Sequence, residues 1–253
     1  MKNSHPFRKK WGQNFLRDTN LLLKIIRSVD PKNTDHILEI GPGEGALTEN
    51  LLPHVDKMAV IEIDPLLIEH LKNRKEFKDV HIIHGDVLWM ELTTLPLDLP
   101  VRIIGNIPYN ITSPILFWLT EQCEHWSDAF LMMQKEVAER LTADVGTKAY
   151  GRLTVMVRAF MDAEIQFTIP PNVFIPKPKV DSAIVRFTPK TTPIIPMERY
   201  DRFEKLIHAA FHMRRKMLRN SLKGFQLSEV AKDFDMTRRP ETLTVEEFVS
   251  LLP

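Results

Sequence analysis

The segment Asn106-Ile107-Pro108-Tyr109 carries side chains suited to chemistry on a purine base. An exocyclic amine of a purine is a poor nucleophile, because its lone pair is delocalised into the ring. The side-chain oxygen of Asn106 and the backbone carbonyl of Pro108 can accept its two N–H bonds, which favours a pyramidal nitrogen aimed at an activated methyl group. Tyr109 can stack on a flipped-out base. The segment therefore predicts methyl transfer to an exocyclic amine, and a plain β-turn is the alternative.

A glycine-rich segment and two spaced acids predict a nucleotide-type pocket. Gly41-x-Gly43-x-Gly45 follows a short apolar run and offers backbone amides at a helix N-terminus to a carboxylate or phosphate. Glu62 ends the next apolar run about twenty residues later, the usual position for an acid that binds ribose hydroxyls. Asp86 ends a third run, where it either accepts a hydrogen bond from an adenine amine or caps the next helix.

The glycine segment alone does not select one ligand. Gly41-x-Gly43-x-x-Ala46 also satisfies a loose NAD fingerprint, and a tight turn without any ligand is a further alternative. The recurrence of polar residues at successive strand ends favours a ligand pocket over the empty turn. An NAD oxidoreductase stays a competing function, and it predicts binding of a nicotinamide cofactor in place of a methyl donor.

The elements that must position these residues alternate between apolar runs and helical patterns. Strands are predicted near His36–Ile40, Met58–Ile63, Val80–His84, Val101–Ile104 and Phe130–Met133. Near-continuous apolar strands separated by helices indicate a parallel sheet that is covered on both faces, with ligands beyond the carboxyl ends of the strands. Two further β-rich runs, Leu153–Phe160 and Ala183–Phe187, are predicted to pair as antiparallel neighbours at a sheet edge.

A change of composition near residue 190 predicts a second, helical domain. Pro189, Pro193 and Pro196 interrupt any regular element and indicate a linker. We therefore expect an α/β domain over residues 1–190 and a small helical RNA-binding domain over residues 191–253. Its predicted helices, the last of them capped by Thr244, cover Tyr200–Lys223, Ser228–Phe234 and Val245–Leu252.

Composition limits the compartment and the class of the protein. The chain has 253 residues and a net charge of only +1. Its single cysteine, Cys123, allows no internal disulfide and fits a reducing compartment. The sequence has neither the apolar core of a signal peptide nor a segment able to span a bilayer. We expect a cytoplasmic protein that has no membrane partner.

Basic residues are concentrated in two segments, and this predicts an RNA-binding surface. The N-terminal cluster holds Lys2, Arg8, Lys9 and Lys10. The C-terminal cluster, predicted to lie on one helix, holds Arg214, Arg215, Lys216, Arg219 and Lys223. A solvated helix face is the alternative for this second cluster. His208 and His212 are spaced to share a metal on a helix, but ordinary helix residues are the preferred interpretation and no metal site is expected.

Several motifs together resemble the ribosomal RNA adenine N6-dimethyltransferase family, and within it the bacterial small-subunit enzymes. They span nearly the whole chain, in the order Gln13-Asn14-Phe15-Leu16, Glu39-Ile40-Gly41-Pro42-Gly43, Glu62-x-Asp64, Gly85-Asp86-Val87-Leu88, Asn106-Ile107-Pro108-Tyr109, Phe174-x-Pro176-x-Pro178-Lys179-Val180-Asp181-Ser182 and Arg215-Lys216-x-Leu218-x-Asn220-Ser221-Leu222. Ile107 departs from the leucine that is common in bacterial members. The resemblance implies a Rossmann-like class I S-adenosylmethionine-dependent methyltransferase fold with a small C-terminal helical domain.

The resemblance also implies site residues and a substrate. The residues that would line the S-adenosylmethionine site are Asn14, Leu16, Gly41, Gly43, Glu62, Asp86 and Asn106. Tyr109 and Phe174 would sandwich the target adenine, although a core position is the alternative for Phe174. The implied reaction adds four methyl groups to two adjacent adenosines near the 3′ end of 16S rRNA in the 30S subunit, and we expect a monomer.

Two further functions compete with this one. The sister enzymes that methylate a large-subunit (23S) rRNA adenine and confer antibiotic resistance would share the whole pocket, and the motifs at 215–222 and 239–241 argue against them. A non-catalytic ribosome-assembly or transcription factor on the same fold is the other competitor. The intact set of Glu62, Asp86, Asn106 and Tyr109 argues against it, because no structural role needs all four.

Overall fold

The structure of the protein is a computed structural model that describes residues 15–16, 18–213 and 215–253. Contacts divide the chain into two compact units, described separately below. The first unit comprises Met1–Ala138 and Glu164–Thr188, and the second comprises Glu139–Ala163 and Pro189–Pro253.

Strands and helices alternate through most of the first unit. The strands are β1 Phe15–Leu16, β2 His36–Ile40, β3 Lys57–Glu62, β4 His81–His84, β5 Val101–Asn106, β6 Trp126–Gln134, β7 Met161–Ile169, β8 Phe174–Ile175 and β9 Ser182–Pro189. The α-helices of the first unit are α1 Thr19–Val29, α2 Ala46–Leu51, α3 Pro65–Lys72 and α4 Thr112–Glu121, and α5 Lys135–Leu141 crosses the boundary between the units. The α-helices of the second unit are α6 Arg152–Arg158, α7 Tyr200–His212, α8 Leu218–Ser221 and α9 Val245–Ser250.

Seven of these strands form one sheet in the order β4-β3-β2-β5-β6-β9-β7. β4, β3, β2, β5 and β6 are parallel, and β9 runs antiparallel to β6. From β2 the chain adds β3 and then β4 toward one edge of the sheet, whereas β5 and then β6 are added on the other side of β2. This reversal is a topological switch point, so a crevice is expected beyond the carboxyl ends of β2 and β5. The predicted α/β class and parallel sheet are confirmed.

Helix α1 shows how local sequence fixes the elements around this crevice. The Asp18 carboxylate accepts the backbone N–H of Leu21 at 2.8 Å and caps the first turn. The helix ends at Asp30, whose left-handed φ of 48° lets its N–H bond the Ile26 carbonyl at 2.8 Å. Its buried residues lie on one side at helical spacing and pack into the core of the first unit; they are Leu22, Ile25, Ile26 and Val29.

The predicted strand from Leu153 to Phe160 is wrong, because this segment forms helix α6 and the strand β7 follows it. The Thr154 hydroxyl accepts the Gly151 N–H at 3.1 Å and donates to the Arg140 carbonyl at 2.7 Å, which fixes the first turn of the helix. Four consecutive residues, 154–157, are buried, so no amphipathic period is visible in the sequence. A short apolar run of this kind does not distinguish a helix from a strand.

The predicted strand Ala183–Phe187 lies within β9, but its place in the sheet differs from the prediction. β9 lies between β6 and β7, and β7 is the edge strand. The neighbour of β9 at the edge is therefore the unpredicted strand β7.

The single helix predicted over residues 200–223 is also wrong, since α7 and α8 are separate elements. The backbone N–H groups of Leu218 and Arg219 donate to the carbonyl oxygens of Arg238 and Met236, at 2.9 and 3.0 Å. These bonds to a distant segment replace the bonds that would continue α7. The predicted helical segment 228–234 forms only a short 3-10 helix, Glu229–Lys232.

The last predicted helix is present as α9. The Thr244 hydroxyl accepts the Glu247 N–H at 3.2 Å, and the Glu247 carboxylate accepts the Thr244 N–H at 2.8 Å. This reciprocal pair is a capping box, so the predicted capping role of Thr244 is confirmed.

The division into units differs from the single boundary predicted at residue 190. Residues 139–163, predicted to belong to the α/β domain, fall in the second unit. The Tyr150 hydroxyl donates to the Leu243 carbonyl at 2.9 Å, and Arg152 pairs with Glu204 at 2.7 Å. These contacts join the segment to the C-terminal part of the second unit. No hydrophobic periodicity in the sequence predicts them.

In the described part of the chain, no helix has both the length and the apolar character that crossing a membrane requires.

Candidate active site

A cavity of about 280 Å³ lies in the first unit at the carboxyl ends of the parallel strands. The structure brings most of the predicted site residues together around it. Those that line the cavity are Leu16, Gly41, Gly43, Glu62, Asp86, Asn106 and Pro108. Asn14, also predicted to bind the cofactor, lies outside the described residues.

The glycine segment forms one wall of the cavity and is closely packed at Gly43. Gly41 donates its N–H to the Ile61 carbonyl at 2.9 Å, which ties the segment to the end of β3. Gly43 has a left-handed φ of 60°, and a Cβ added there would lie 3.0 Å from the Phe15 ring. Phe15 in β1 therefore packs directly on the glycine segment and closes this side of the cavity.

Glu62 is held in one orientation by backbone N–H groups. One carboxylate oxygen accepts from Ile63 at 2.9 Å and Asp64 at 3.0 Å, and the other accepts from Gly43 at 3.3 Å. Burial raises the pKa of Glu62, and the same three N–H groups oppose that shift. The oxygen that faces Gly43 keeps acceptor capacity, as recognition of a ribose hydroxyl requires.

Asp86 caps the next helix, as one of its two predicted alternatives held, and it also lies at the cavity. One carboxylate oxygen accepts the Leu88 N–H at 3.0 Å and caps the short 3-10 helix Val87–Trp89. The residue also lines the cavity. Because a carboxylate has about four acceptor sites, capping leaves Asp86 able to accept further hydrogen bonds.

Asn106 is the last residue of β5, and Pro108 follows it at the cavity wall. The Pro108 carbonyl accepts the Ile111 N–H at 3.1 Å, within the 3-10 turn Tyr109–Ile111. A carbonyl oxygen has two lone pairs, so one stays available to a ligand amine. The segment from Asn106 to Tyr109 thus leads into a turn, as its alternative interpretation held. It also places two potential acceptors, on Asn106 and Pro108, at the cavity.

Tyr109 is half-buried and is fixed at its hydroxyl group. Its phenolic oxygen lies 2.7 Å from the Ser182 hydroxyl, and Ser182 is fully buried at the start of β9. Burial raises the pKa of Tyr109, so the phenol is neutral at physiological pH. Sequence reasoning gave Ser182 no role, although it lies in the motif that begins at Phe174.

Phe174 is not at the cavity wall. Its side chain is only 2% exposed and belongs to the hydrophobic core of the first unit. It lies in β8, which pairs with β1 so that Leu16 faces Phe174. In this conformation the ring occupies the core position that was its alternative interpretation, and β1 links it to the cavity through Leu16.

Glu39 lines the cavity from β2 and is almost completely buried, with 2% exposure. The Thr48 hydroxyl donates to its carboxylate at 2.6 Å. Burial raises the pKa of Glu39 to about 8, the Thr48 hydrogen bond opposes the shift, and the nearby charge of Glu62 adds to it. Sequence reasoning placed Glu39 in a motif without a role. The sequence could have indicated a role for Glu39, since it is an acid inside an otherwise apolar strand. Acidic residues are rarely buried without a function or a partner.

The ionisable side chains at the cavity are all acidic among the described residues. Carboxylates come from Glu39, Glu44, Glu62 and Asp86, and no described lysine, arginine or histidine lines the cavity. An anionic pyrophosphate would meet like charges here, whereas a cationic ligand would be stabilised. The electrostatics therefore disfavour the NAD interpretation of the glycine segment.

The predicted RNA-binding residues that the structure describes lie in the second unit and are exposed; they are Arg215, Lys216, Arg219 and Lys223. They occupy the turn between α7 and α8, helix α8 and the turn after it, so the predicted single helix face is wrong. Arg214 and the N-terminal basic cluster lie outside the described residues.

His208 and His212 stack on α7, with ring centroids 5.9 Å apart. Over residues 15–16, 18–213 and 215–253, no group of three or more potential metal ligands comes together.

Comparison with known proteins gives consistent matches over nearly the whole chain. A sequence profile described as ribosomal RNA adenine dimethylase matches residues 4–251. Ribosomal RNA small subunit methyltransferase A of Saccharophagus degradans is 43% identical over 251 residues, which cover 98% of this chain and 94% of that protein. The protein of the same name from a Janthinobacterium species is 42% identical and covers 98% of both chains.

Two solved structures are similar to this fold. A dimethyladenosine transferase from Plasmodium falciparum has a TM-score of 0.81 and 30% identity, and the match covers 93% of this chain and 95% of that one. The 23S rRNA methyltransferase ErmE has a TM-score of 0.71 and 28% identity, with 93% and 97% covered.

Proposed function

The chain belongs to the ribosomal RNA adenine dimethylase family, and on that premise we propose that it dimethylates the N6 amines of two adjacent adenosines near the 3′ end of 16S rRNA. It is an S-adenosylmethionine-dependent rRNA methyltransferase. Curated relatives at 42–43% identity carry the name of the small-subunit enzyme, which supports the 16S substrate over the 23S alternative.

The observation that carries the proposal is the placement of Asn106 and Pro108 at the wall of an acidic cavity. S-adenosylmethionine fits this cavity because its sulfonium is positively charged and the described ionisable groups at the wall are carboxylates. When bound, it supplies an electrophilic methyl group. Glu62 is oriented to accept hydrogen bonds from ribose hydroxyls, and Asp86 from the adenine amine of the cofactor.

The chain prepares the target amine for attack without needing a strong base. The Asn106 side-chain oxygen and the second lone pair of the Pro108 carbonyl accept the two N–H bonds of the amine. This draws the nitrogen lone pair out of conjugation and fixes its direction. Transfer of the methyl group breaks its bond to sulfur and leaves a positively charged amine, which releases one proton to solvent. The monomethylated amine then keeps one N–H and a lone pair, so one of the two acceptors can hold it for a second transfer.

Tyr109 stacks on one face of the flipped-out adenine, and its bond to Ser182 fixes the ring plane. Phe174 supplies the opposite face of the sandwich. Because Phe174 is buried in the core, this role requires its ring to leave the core position when the base enters.

The RNA surface is formed by the exposed basic residues of the second unit. Arg215, Lys216, Arg219 and Lys223 bind phosphates of the small subunit or its precursor, and the enzyme acts as a monomer. Within the described part of the chain these four residues are exposed and form no ion pair, unlike Arg152 and Arg238 of the same unit. Their charges are therefore available to a polyanion.

Methyl transfer to ribosomal subunits from cells lacking this activity tests the proposal. With purified protein and radiolabelled S-adenosylmethionine, label should enter 16S rRNA in 30S subunits at two neighbouring adenosines, located by primer extension. Label confined to 23S rRNA would reject the small-subunit assignment in favour of the sister enzyme class. Binding of RNA without any transfer would favour the non-catalytic assembly factor.

A further inference from the structure

We propose that Glu39 changes its protonation with the charge of the ligand in the cavity and thereby favours the cationic methyl donor, S-adenosylmethionine, over its product, S-adenosylhomocysteine. The proposal rests on the proposed function, because it assumes that this cavity holds the donor. It assigns a specificity role to a side chain that the transfer step does not use.

The geometry places a poorly compensated carboxyl group at the cavity. Glu39 is 2% exposed, and its one described hydrogen-bond partner is the Thr48 hydroxyl at 2.6 Å. Thr48 is itself fully buried. A single neutral donor does not offset the loss of hydration of a buried anion, so the free protein favours the protonated form of Glu39.

The groups around Glu39 reinforce this preference. Three other carboxylates line the same cavity: Glu62 at the end of β3, whose charge acts on Glu39, Glu44 in the glycine segment and Asp86 after β4. The neutral side chains nearby are Thr48 of α2, which bonds Glu39, and Asn106 of β5, which lines the cavity. No described lysine, arginine or histidine lines the cavity. Burial and the charge of Glu62 together raise the pKa of Glu39 to about 8, so the group is largely neutral near physiological pH until a cation enters.

The donor and the product differ by one positive charge, which is carried on sulfur. In a cavity from which water is displaced, that charge interacts strongly with a carboxylate. Both ligands carry the same α-amino group, and only the donor adds the sulfonium charge. The donor therefore lowers the pKa of Glu39 more than the product does, and its binding releases the larger fraction of a proton. Linkage then makes donor affinity rise with pH, by at most about tenfold per pH unit, until the pH exceeds the free-state value of Glu39.

Isothermal titration of the full chain with each ligand tests this, using buffers of different ionisation enthalpy to count protons. The α-amino group of the ligand titrates near pH 8 as well. The quantity to compare is therefore the difference between the wild type and Glu39→Gln at the same pH. Near pH 7 we expect the wild type to release up to about one more proton with donor than the variant does. We also expect Glu39→Gln to lower the donor-to-product affinity ratio severalfold near pH 8.5.

Two further variants keep the test decisive. Glu69→Gln makes the same charge change at an exposed position on α3 and should behave as wild type. Thr48→Val removes the hydroxyl that favours the Glu39 anion, so it should move the pH dependence of donor binding to higher pH. If Glu39→Gln fails to fold, Thr48→Val alone tests the proposal. Unchanged proton release and affinity ratio in Glu39→Gln, or an unmoved pH dependence in Thr48→Val, would overturn the proposal. Failure of the wild type to bind either ligand would instead overturn the proposed function, and this inference with it.

Discussion

At the scale of single residues, the site depends on acceptors that the backbone holds in fixed directions. Glu62 is oriented by three N–H groups, Asp86 by one, and Tyr109 by a buried hydroxyl. Acceptors fixed before the ligand arrives lose little entropy when it binds, and they do not reorganise during the reaction. Variants that remove one acceptor should therefore affect the rate more than the fold.

Replacing Asn106 with alanine should reduce the rate of methyl transfer by orders of magnitude while leaving RNA binding intact. The variant loses the side-chain oxygen that accepts one N–H of the target amine, and loss of such a group costs about 10²–10³ in rate. Single-turnover transfer and filter binding of the same RNA measure the two properties. Asn73→Ala, an exposed position on the C-terminal side of α3, is the matched control. Unchanged turnover in Asn106→Ala would refute the role of this side chain.

Ser182→Ala should reduce kcat/KM by a few-fold to about tenfold, because the Tyr109 phenol loses a hydrogen bond of about 1 kcal/mol and its ring is less restrained. Tyr109→Phe removes the same bond and keeps the aromatic ring. If the bond acts through ring orientation, the double variant should lose no more than the more damaged single variant. Additive losses would show that Ser182 contributes through something other than Tyr109.

At the scale of elements, most of the predicted site residues at the cavity lie at the ends of strands or in the turns that follow them. α2 begins directly after the glycine segment, and its N-cap residue is Gly45, which has a φ of 84°. A Cβ at this position would lie 2.5 Å from the ring of the buried Phe77. Gly45 is thus required both by its backbone conformation and by the packing of the helix that follows the cavity.

Gly45→Ala should destabilise the protein through two separable effects, measured by urea denaturation. The left-handed backbone costs an alanine about 1–2 kcal/mol, and the clash with Phe77 adds about 1–3 kcal/mol. Gly224→Ala has a similar φ of 82° and nothing within 4 Å of the added Cβ, so it should show the first cost alone. In a Phe77→Leu background, Gly45→Ala should lose much of the second cost. Equal losses in both backgrounds would exclude the clash.

Elements were predicted correctly from the sequence where an apolar run of strand length is closed by a residue typical of a strand end. The strands before Gly41, Glu62, Asp86 and Asn106 are apolar runs closed by polar residues, and the structure has each of them. Prediction failed at α6, which is short and has four consecutive buried residues, and at the break between α7 and α8. That break is set by hydrogen bonds to residues 236–238, and no local pattern encodes such contacts.

The candidate site was predictable to a similar degree. Residues that follow strands were placed at one cavity, because the topology of a parallel sheet brings those positions together. Ser182 and Glu39 received no role, since a serine at the start of an antiparallel strand and an acid within a motif have no spacing signal of their own. Their importance depends on tertiary neighbours, Tyr109 and Thr48.

At the scale of the whole molecule, the net charge of +1 conceals an uneven distribution. Exposed basic residues at 215–223 lie in the second unit, and the cavity in the first unit is lined by carboxylates. A polyanionic substrate and a cationic donor thus each meet a described surface of opposite charge.

Neutralising this basic surface should weaken RNA binding and reduce its dependence on salt. For the combined Arg215→Gln, Lys216→Gln, Arg219→Gln and Lys223→Gln variant, the slope of log K against log salt should fall by about 0.7–0.9 for each phosphate that the surface no longer neutralises. Binding titrations at several salt concentrations measure this slope. Lys72→Gln removes one charge from an exposed position on α3 and should leave it unchanged. A slope equal to that of the wild type would mean that these residues are only a solvated surface.

The acidic lining of the cavity also has a consequence for inhibitor design. An adenosine analogue that carries a protonated amine in place of the methylated sulfur would retain the attraction of the carboxylates, while lacking a group to give away. Analogues built on nucleoside phosphates, which suit many other nucleotide-binding folds, would be repelled at the same wall. A series of inhibitors for this enzyme should therefore begin from positively charged adenosine analogues.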